Sequence, residues 1–363
     1  MSDSTIVDAS LGESAPADRT ATGPAPRIPG GRTRVGAAPS RVGDRVFLGL
    51  STGSAWLIMV ILAGVALFLI IKAAPAIAAN WADNPELNSG PTAGWPSFWA
   101  YVAPLIWGTL WSSLLALVFG APVAIGIALF ISHYAPRRLA GVLGYLIDLL
   151  AAVPSIVFGL WGIFVVRDFL KPLNQFLNDY LGWIPLFAGT PTADGSSVIS
   201  STGSTILAGA VVLAVMILPI ITSITREIFL QTPGLHEEAA LALGATRWEM
   251  VKLAVLPYAR SGMVSATLLG LGRALGETMA IAMIISPGIL FSVKLLTEGE
   301  NSQTIAANIA INFPIATELQ RDALIGTGLM LFVISFAVNF VARWIVARTA
   351  PDAKRRSRKA KAS

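Results

Sequence analysis

Two opposite charges sit inside an apolar run that reads Leu268-Leu269-Gly270-Leu271-Gly272-Arg273-Ala274-Leu275-Gly276-Glu277-Thr278-Met279. Arg273 and Glu277 stand four residues apart, so a helix through the run carries both on one face near its middle. A charged side chain at the bilayer centre costs on the order of 2.5–3.5 kcal/mol on insertion scales, and two in one helix need a reason. Charges so placed mark the route of an ion or solute through a bundle interior. The plainer alternative is an ion pair that neutralises itself and fixes helix packing, although arginine ahead of glutamate is the weaker order for such a pair. Gly272 and Gly276 lie about 100° around the helix from Arg273 and form a small-xxx-small pair suited to a tight helix contact. Asp148, in an earlier apolar run, is expected to be a second buried charge and a candidate partner for Arg273.

The composition supplies the membrane that this chemistry presupposes. The 363-residue chain is 54% hydrophobic and 13% charged, with a mean hydropathy of +0.68. Six apolar stretches, roughly 46–74, 102–131, 139–166, 205–224, 259–285 and 324–346, are long enough to cross about 30 Å of hydrocarbon. An all-α, six-helix integral membrane bundle is therefore expected, occupying residues 46–348. Gly120-Ala121-Pro122, Val153-Pro154-Ser155 and Leu218-Pro219 interrupt three of the spans. Proline there frees backbone carbonyls, which need protein neighbours or a wet cavity.

Basic residues alternate between the two sides. Arg41 and Arg45 precede the first span, Arg137 and Arg138 join the second to the third, and Arg226, Arg247 and Lys252 occupy the central loop. The opposite loops carry Asp83 and Glu86, then Arg167, Asp168, Lys171, Asp179 and Asp194, then Lys294, Glu298, Glu300 and Glu318. The positive-inside rule then predicts cytoplasmic termini and a cytoplasmic central loop. Residues 1–45 lack an apolar run and read as a disordered tail, with the first span too late and too long for a secretory signal. Residues 349–363 read as a basic tail near anionic lipid. The 171–204 segment reads as a long outer loop, and Trp81, Trp95 and Trp99 as interfacial residues.

Several functions are excluded by what is missing. There is no cysteine and there are two histidines, which removes thiolate metal sites, disulfides and thiol catalysis and leaves too few imidazoles for a histidine metal site. No metal or cofactor is expected. No Gly-Lys dipeptide occurs, hence no phosphate-cradling loop for ATP, and the chain is read as a non-enzyme. The net charge of +5 is gathered at helix ends and in the tail, so nucleic acid is not an expected partner.

Residues 233–257 form the longest charged interruption between two strongly apolar segments. Pro233-Gly234 punctuates the chain, and Glu237 and Glu238 fall in a first helical turn, where carboxylates complement the dipole. Leu235, Ala239, Ala242 and Leu243 recur at helical spacing, Gly244 breaks the run, and a second short helix is expected from Arg247 to Val255, ended by Pro257. Two short helices about a glycine bend make a knob that a partner could grip; the alternative is an amphipathic helix lying on the membrane.

Glu238-Ala239-Ala240, Gly244 and Leu256-Pro257 resemble the EAA loop of bacterial ATP-binding-cassette importer permeases, with Ala254 where that pattern has isoleucine. Residues 144–165, Met216-Ile217-Leu218-Pro219 and 270–279 narrow the resemblance to the phosphate-specific importer permeases, in an order more like the PstC subunit than its paralogue PstA. The resemblance implies a type I, MetI-like permease of the bacterial inner membrane. It implies a PstA-like permease partner, a PstB-like ATPase dimer docked on the 233–257 loop, and an extracytoplasmic PstS-like phosphate-binding protein. It also implies that Arg273 and Glu277 lie on the path of inorganic phosphate. A guanidinium offers planar paired donors to phosphate oxygens. Residue chemistry alone leaves sulfate and molybdate open, and also a secondary carrier relaying ions through Arg273, Glu277 and Asp148.

Overall fold

A computed structural model describes residues 42–192, 197–286 and 288–349. The 1–41 part of the N-terminal tail, Asp194 and the tail from residue 350 onward lie outside the described residues. The helices in chain order are α1 (Val42–Ala78), α2 (Phe98–Leu129), α3 (Arg137–Ala151), α4 (Ser155–Trp161), α5 (Arg167–Leu181), α6 (Ile206–Leu230), α7 (Gly234–Ala242), α8 (Arg247–Met250), α9 (Leu256–Leu275), α10 (Met279–Ile284), α11 (Ile305–Asn312) and α12 (Glu318–Thr349). A two-residue antiparallel pair, β1 (Thr190–Pro191) and β2 (Ser197–Val198), is the only sheet among the described residues. Helix α1 runs from one unit of the chain, Met1–Val60, into a second, Ile61–Ser363, and the site lies within the second.

Among the described residues, four helices, α1, α2 with its π-helical end, α6 and α12, are long and apolar enough to cross a membrane, or five spans if one bent pair is counted as a span. Side-chain caps set their starts. Ser97 accepts from the Ala100 N–H at 3.2 Å to open α2, and Thr205 accepts from the Ala208 N–H at 3.2 Å to open α6. Helix α6 is the centre: 72% of its most apolar window is buried, against 22% for α12. Leu213, Ile217 and Ile221 of α6 pack with Ala116 and Ala124 of α2 and with Ala266 and Ala274 of α9 in one core. Gly120 permits a close approach of α2 to α6, since a Cβ there would stand 3.1 Å from the Ala214 carbonyl oxygen.

Two expected spans are not straight helices. The third turns by 93° between Arg137–Ala151 and Ser155–Leu181, at the position of Pro154. Proline lacks an N–H and disfavours helical backbone at the residue before it, so the chain stops at Ala151 and restarts at Ser155. The restarted helix continues through Leu181, so the first third of the expected outer loop is helical. The fifth ends at Leu275, with Gly276 as its cap, and resumes only at Met279 as the six-residue α10. Trp81 also departs from expectation. It is 1% exposed, donates to the Ala76 carbonyl and packs on Phe98 and Tyr101, a core role rather than an interfacial one.

Candidate functional site: a basic groove on α9 and a two-helix knob

One face of α9 is built for contact. Ala259, Ala266, Gly270 and Ala274 are buried, and Gly262 lies between them in the series. From Gly262 onward a small residue recurs every fourth position, so one stripe lies against α6. A Cβ on Gly270 would come within 2.7 Å of the Ile221 side chain, and one on Gly262 within 2.7 Å of Ile228.

The opposite face is open. Ser265, Leu268, Leu269, Gly272 and Arg273 line a groove of about 720 Å³ with Ile220 of α6 and with Asn339 and Arg343 of α12. Arg273 is exposed there and makes no hydrogen bond or ion pair to any described residue. Within this chain Gly272 and Gly276 meet no neighbouring helix: a Cβ on Gly272 meets nothing within 4 Å, and one on Gly276 meets only its own turn. The contact stripe is two residues away, because burial of the larger hydrophobic residues of α6 chose Gly262 and Gly270.

Glu277 is not on the helical face of Arg273. Helix α9 has closed by then, with Glu277 N–H donating to the Ala274 carbonyl at 3.3 Å. Glu277 is 7% exposed, and its Oε1 accepts from the Ala280 N–H at 3.0 Å, satisfying one of the free donors at the start of α10. The carboxylate thus pins the turn between α9 and α10. Asp148 is exposed rather than buried, and it accepts from the Ser223 hydroxyl at 3.1 Å instead of pairing with Arg273. The guanidinium beside this part of α3 is Arg226, which lies over Gly144. Arg343, Asn339 and Ser265 were not singled out from sequence. The available signal was Asn339 and Arg343 four apart inside the last apolar span, which places them on one face of α12.

The 233–257 stretch folds as two short helices about Gly244, whose φ of +85° is the left-handed conformation that glycine adopts without a Cβ penalty. No residue of α7 is buried, and Leu235 and Leu243 are 79% and 89% exposed. Glu237 reaches His133 at 3.5 Å and ties the knob to the end of α2, while Glu238 points away as an exposed charge. Ala239 is exposed, and the half-buried Ala240 packs on the Phe229–Val251 cluster. Thr246 and Glu249 form a reciprocal capping box at the start of α8. The Thr246 backbone N–H, then its hydroxyl, hold the Glu249 carboxyl below the usual carboxylate range. Pro257 does not end this helix; after a π-helical turn it stands in the first turn of α9, where its missing N–H costs nothing.

Comparison with known proteins bears on both features. Residues 120–355 match the model of the family described as binding-protein-dependent transport system inner membrane component. The chain belongs to that family. The permease is 45% identical over 303 residues to the phosphate transport system permease protein PstC 2 of Mycobacterium tuberculosis, covering 83% of this chain and 91% of that one. It is 40% identical over 305 residues to the phosphate transport system permease protein PstC of Xylella fastidiosa, covering 80% and 89%. A solved bacterial alginate ABC transporter, in complex with an alginate pentasaccharide-bound periplasmic protein, has a chain that superposes on the permease with a TM-score of 0.57. That match is 16% identical and covers 85% of this chain and 96% of the other, so it speaks for the fold alone. The permease is a multi-pass, all-α membrane protein with the type I importer fold.

Proposed function

We propose that the chain is the PstC-like permease subunit of an ATP-driven importer of inorganic phosphate. The observation that carries the reading is the Arg273 guanidinium, unpaired among the described residues, in an open groove of the membrane bundle. Its relatives named as phosphate transport permeases over four-fifths of the chain or more support phosphate as the anion. A PstA-like permease would close the open face of α9, making a pathway between the two subunits. Arg273 meets the anion directly. Glu277 belongs to the same path by fixing the turn just beyond Arg273, and Gly272 and Gly276 leave room beside it. Asp148, held by Ser223, acts in packing.

ATP is hydrolysed by a separate PstB-like dimer. The exposed α7–α8 knob, with Glu237, Glu238, Ala239, Ala240, Gly244, Leu256 and Pro257, is its docking element, and the termini and knob are cytoplasmic. A PstS-like binding protein delivers phosphate on the other side. Purification of the tagged chain tests the assembly: a second permease and an ATPase should accompany it. Vesicles of that complex should take up labelled phosphate in an ATP-dependent way that sulfate and molybdate do not match. Uptake by the chain alone, driven by an ion gradient, would instead establish a secondary carrier.

A further inference from the structure

Arg343 is a second guanidinium on the same groove. It stands with Asn339 on one face of α12, across from Ser265, Leu269, Gly272 and Arg273 of α9. Among the described residues, no carboxylate lines the groove. Like Arg273, Arg343 is exposed and makes no hydrogen bond or ion pair to a described residue. Two cations facing one space without a counter-charge repel, and an anion between them relieves that repulsion. The Asn339 amide adds donors for a tetrahedral oxyanion, and Gly272, with open space for 4 Å around the place a Cβ would take, keeps the wall low. A membrane anchor is the other use of an arginine near a helix end, but an anchor needs only a charge on a flexible stem, which lysine supplies equally.

We propose that Arg343 and Asn339 form with Arg273 a single station for the transported oxyanion, with Arg343 as a direct ligand from the last helix. The inference rests on the phosphate-import reading and extends it to residues of α12.

The test uses the assembled complex in phosphatidylcholine vesicles, with and without added phosphatidylglycerol. Arg343→Gln should lower phosphate uptake at sub-saturating concentration about tenfold or more, and Asn339→Ala should lower it less, with partner binding unchanged. Arg343→Lys should transport with a raised KM, because the charge remains and the planar fork is lost. The chain has no cysteine, so in Arg343→Cys a methanethiosulfonate can form a mixed disulfide, with release of methanesulfinate, at that one thiol of this subunit. A cationic aminoethyl methanethiosulfonate should restore part of the uptake, whereas the neutral methyl reagent should not; the wild-type complex is the control for partner thiols. Full activity in Arg343→Lys with loss in Arg343→Gln makes it an anchor and overturns the proposal. So does assembly lost in every variant, or a defect that shows only with phosphatidylglycerol, which assigns the site to a lipid headgroup. No phosphate uptake by the wild-type complex defeats the functional reading itself, whereas normal wild-type uptake with an unaffected Arg343→Gln defeats only this inference.

Discussion

Replacing Glu277 separates its charge from its geometry. The side chain is 7% exposed, and Oε1 accepts from the Ala280 N–H at 3.0 Å. Glu277→Ala leaves that donor unmade in a buried place. A hydrogen bond to a charged group contributes about 1.5–3 kcal/mol, so the ordered α9–α10 turn should lose roughly ten- to a hundredfold in population. Glu277→Gln keeps a carbonyl oxygen of the same reach. It trades a charged acceptor for a neutral one, a difference of about 1 kcal/mol, or roughly fivefold. The assay is ATP-dependent phosphate uptake per assembled complex in vesicles, with ATPase rate read in parallel. The expected order is wild type, then Gln within a few-fold, then Ala far below. If Gln is as damaging as Ala while the complex still assembles, the carboxylate acts through its charge on the anion path, and the pinning argument is wrong.

Further outcomes follow from other residues. Gly244 has a φ of +85° and open space where a Cβ would stand, so the cost of substitution is backbone conformation alone; Gly244→Asn should couple ATPase to uptake nearly normally, while Gly244→Val should uncouple them in a complex that still inserts. Gly270→Val should overpack against Ile221 and lower the thermal stability of the purified chain by about 1–3 kcal/mol, whereas Gly272→Ala should be neutral or slightly stabilising; equal effects would refute the assigned contact face. Glu300 is set on the 288–303 segment, where burial opposes its ionisation but the Lys294 ammonium at 2.8 Å and Thr190 hold its carboxyl below the ordinary value. With the folded value depressed, its contribution is present above the unfolded carboxylate value of about 4.3 and is lost as pH falls through the lower folded value; hydrogen exchange of this segment should therefore rise only in that acid window, and Lys294→Met should move the window upward. A reporter fused after Arg138 should be cytoplasmic, and an external signal there would overturn the proposed orientation.

Much of this protein was determined by the sequence alone. Long apolar runs must become helices in hydrocarbon, because no water is there to satisfy a free backbone group. The same one-dimensional logic located the α7–α8 knob, since Pro233 and Gly244 act over a few neighbouring residues. It also marked Arg273, since a charge in an apolar run is visible without a fold. What only the tertiary structure decided was which side of each helix meets which neighbour. Gly270 rather than Gly272 faces Ile221, Asp148 finds Ser223, and Arg343 comes across from Arg273, and these choices depend on residues tens of positions apart. The break at Gly276 is of the same kind. A helix through Arg273 and Glu277 satisfies local spacing, but the chain gains more by burying the Glu277 carboxylate on the Ala280 N–H and packing Ala280, Ile281 and Ile284 into the core. Periodicity cannot register that gain, because it is made by atoms that meet only once the bundle has closed.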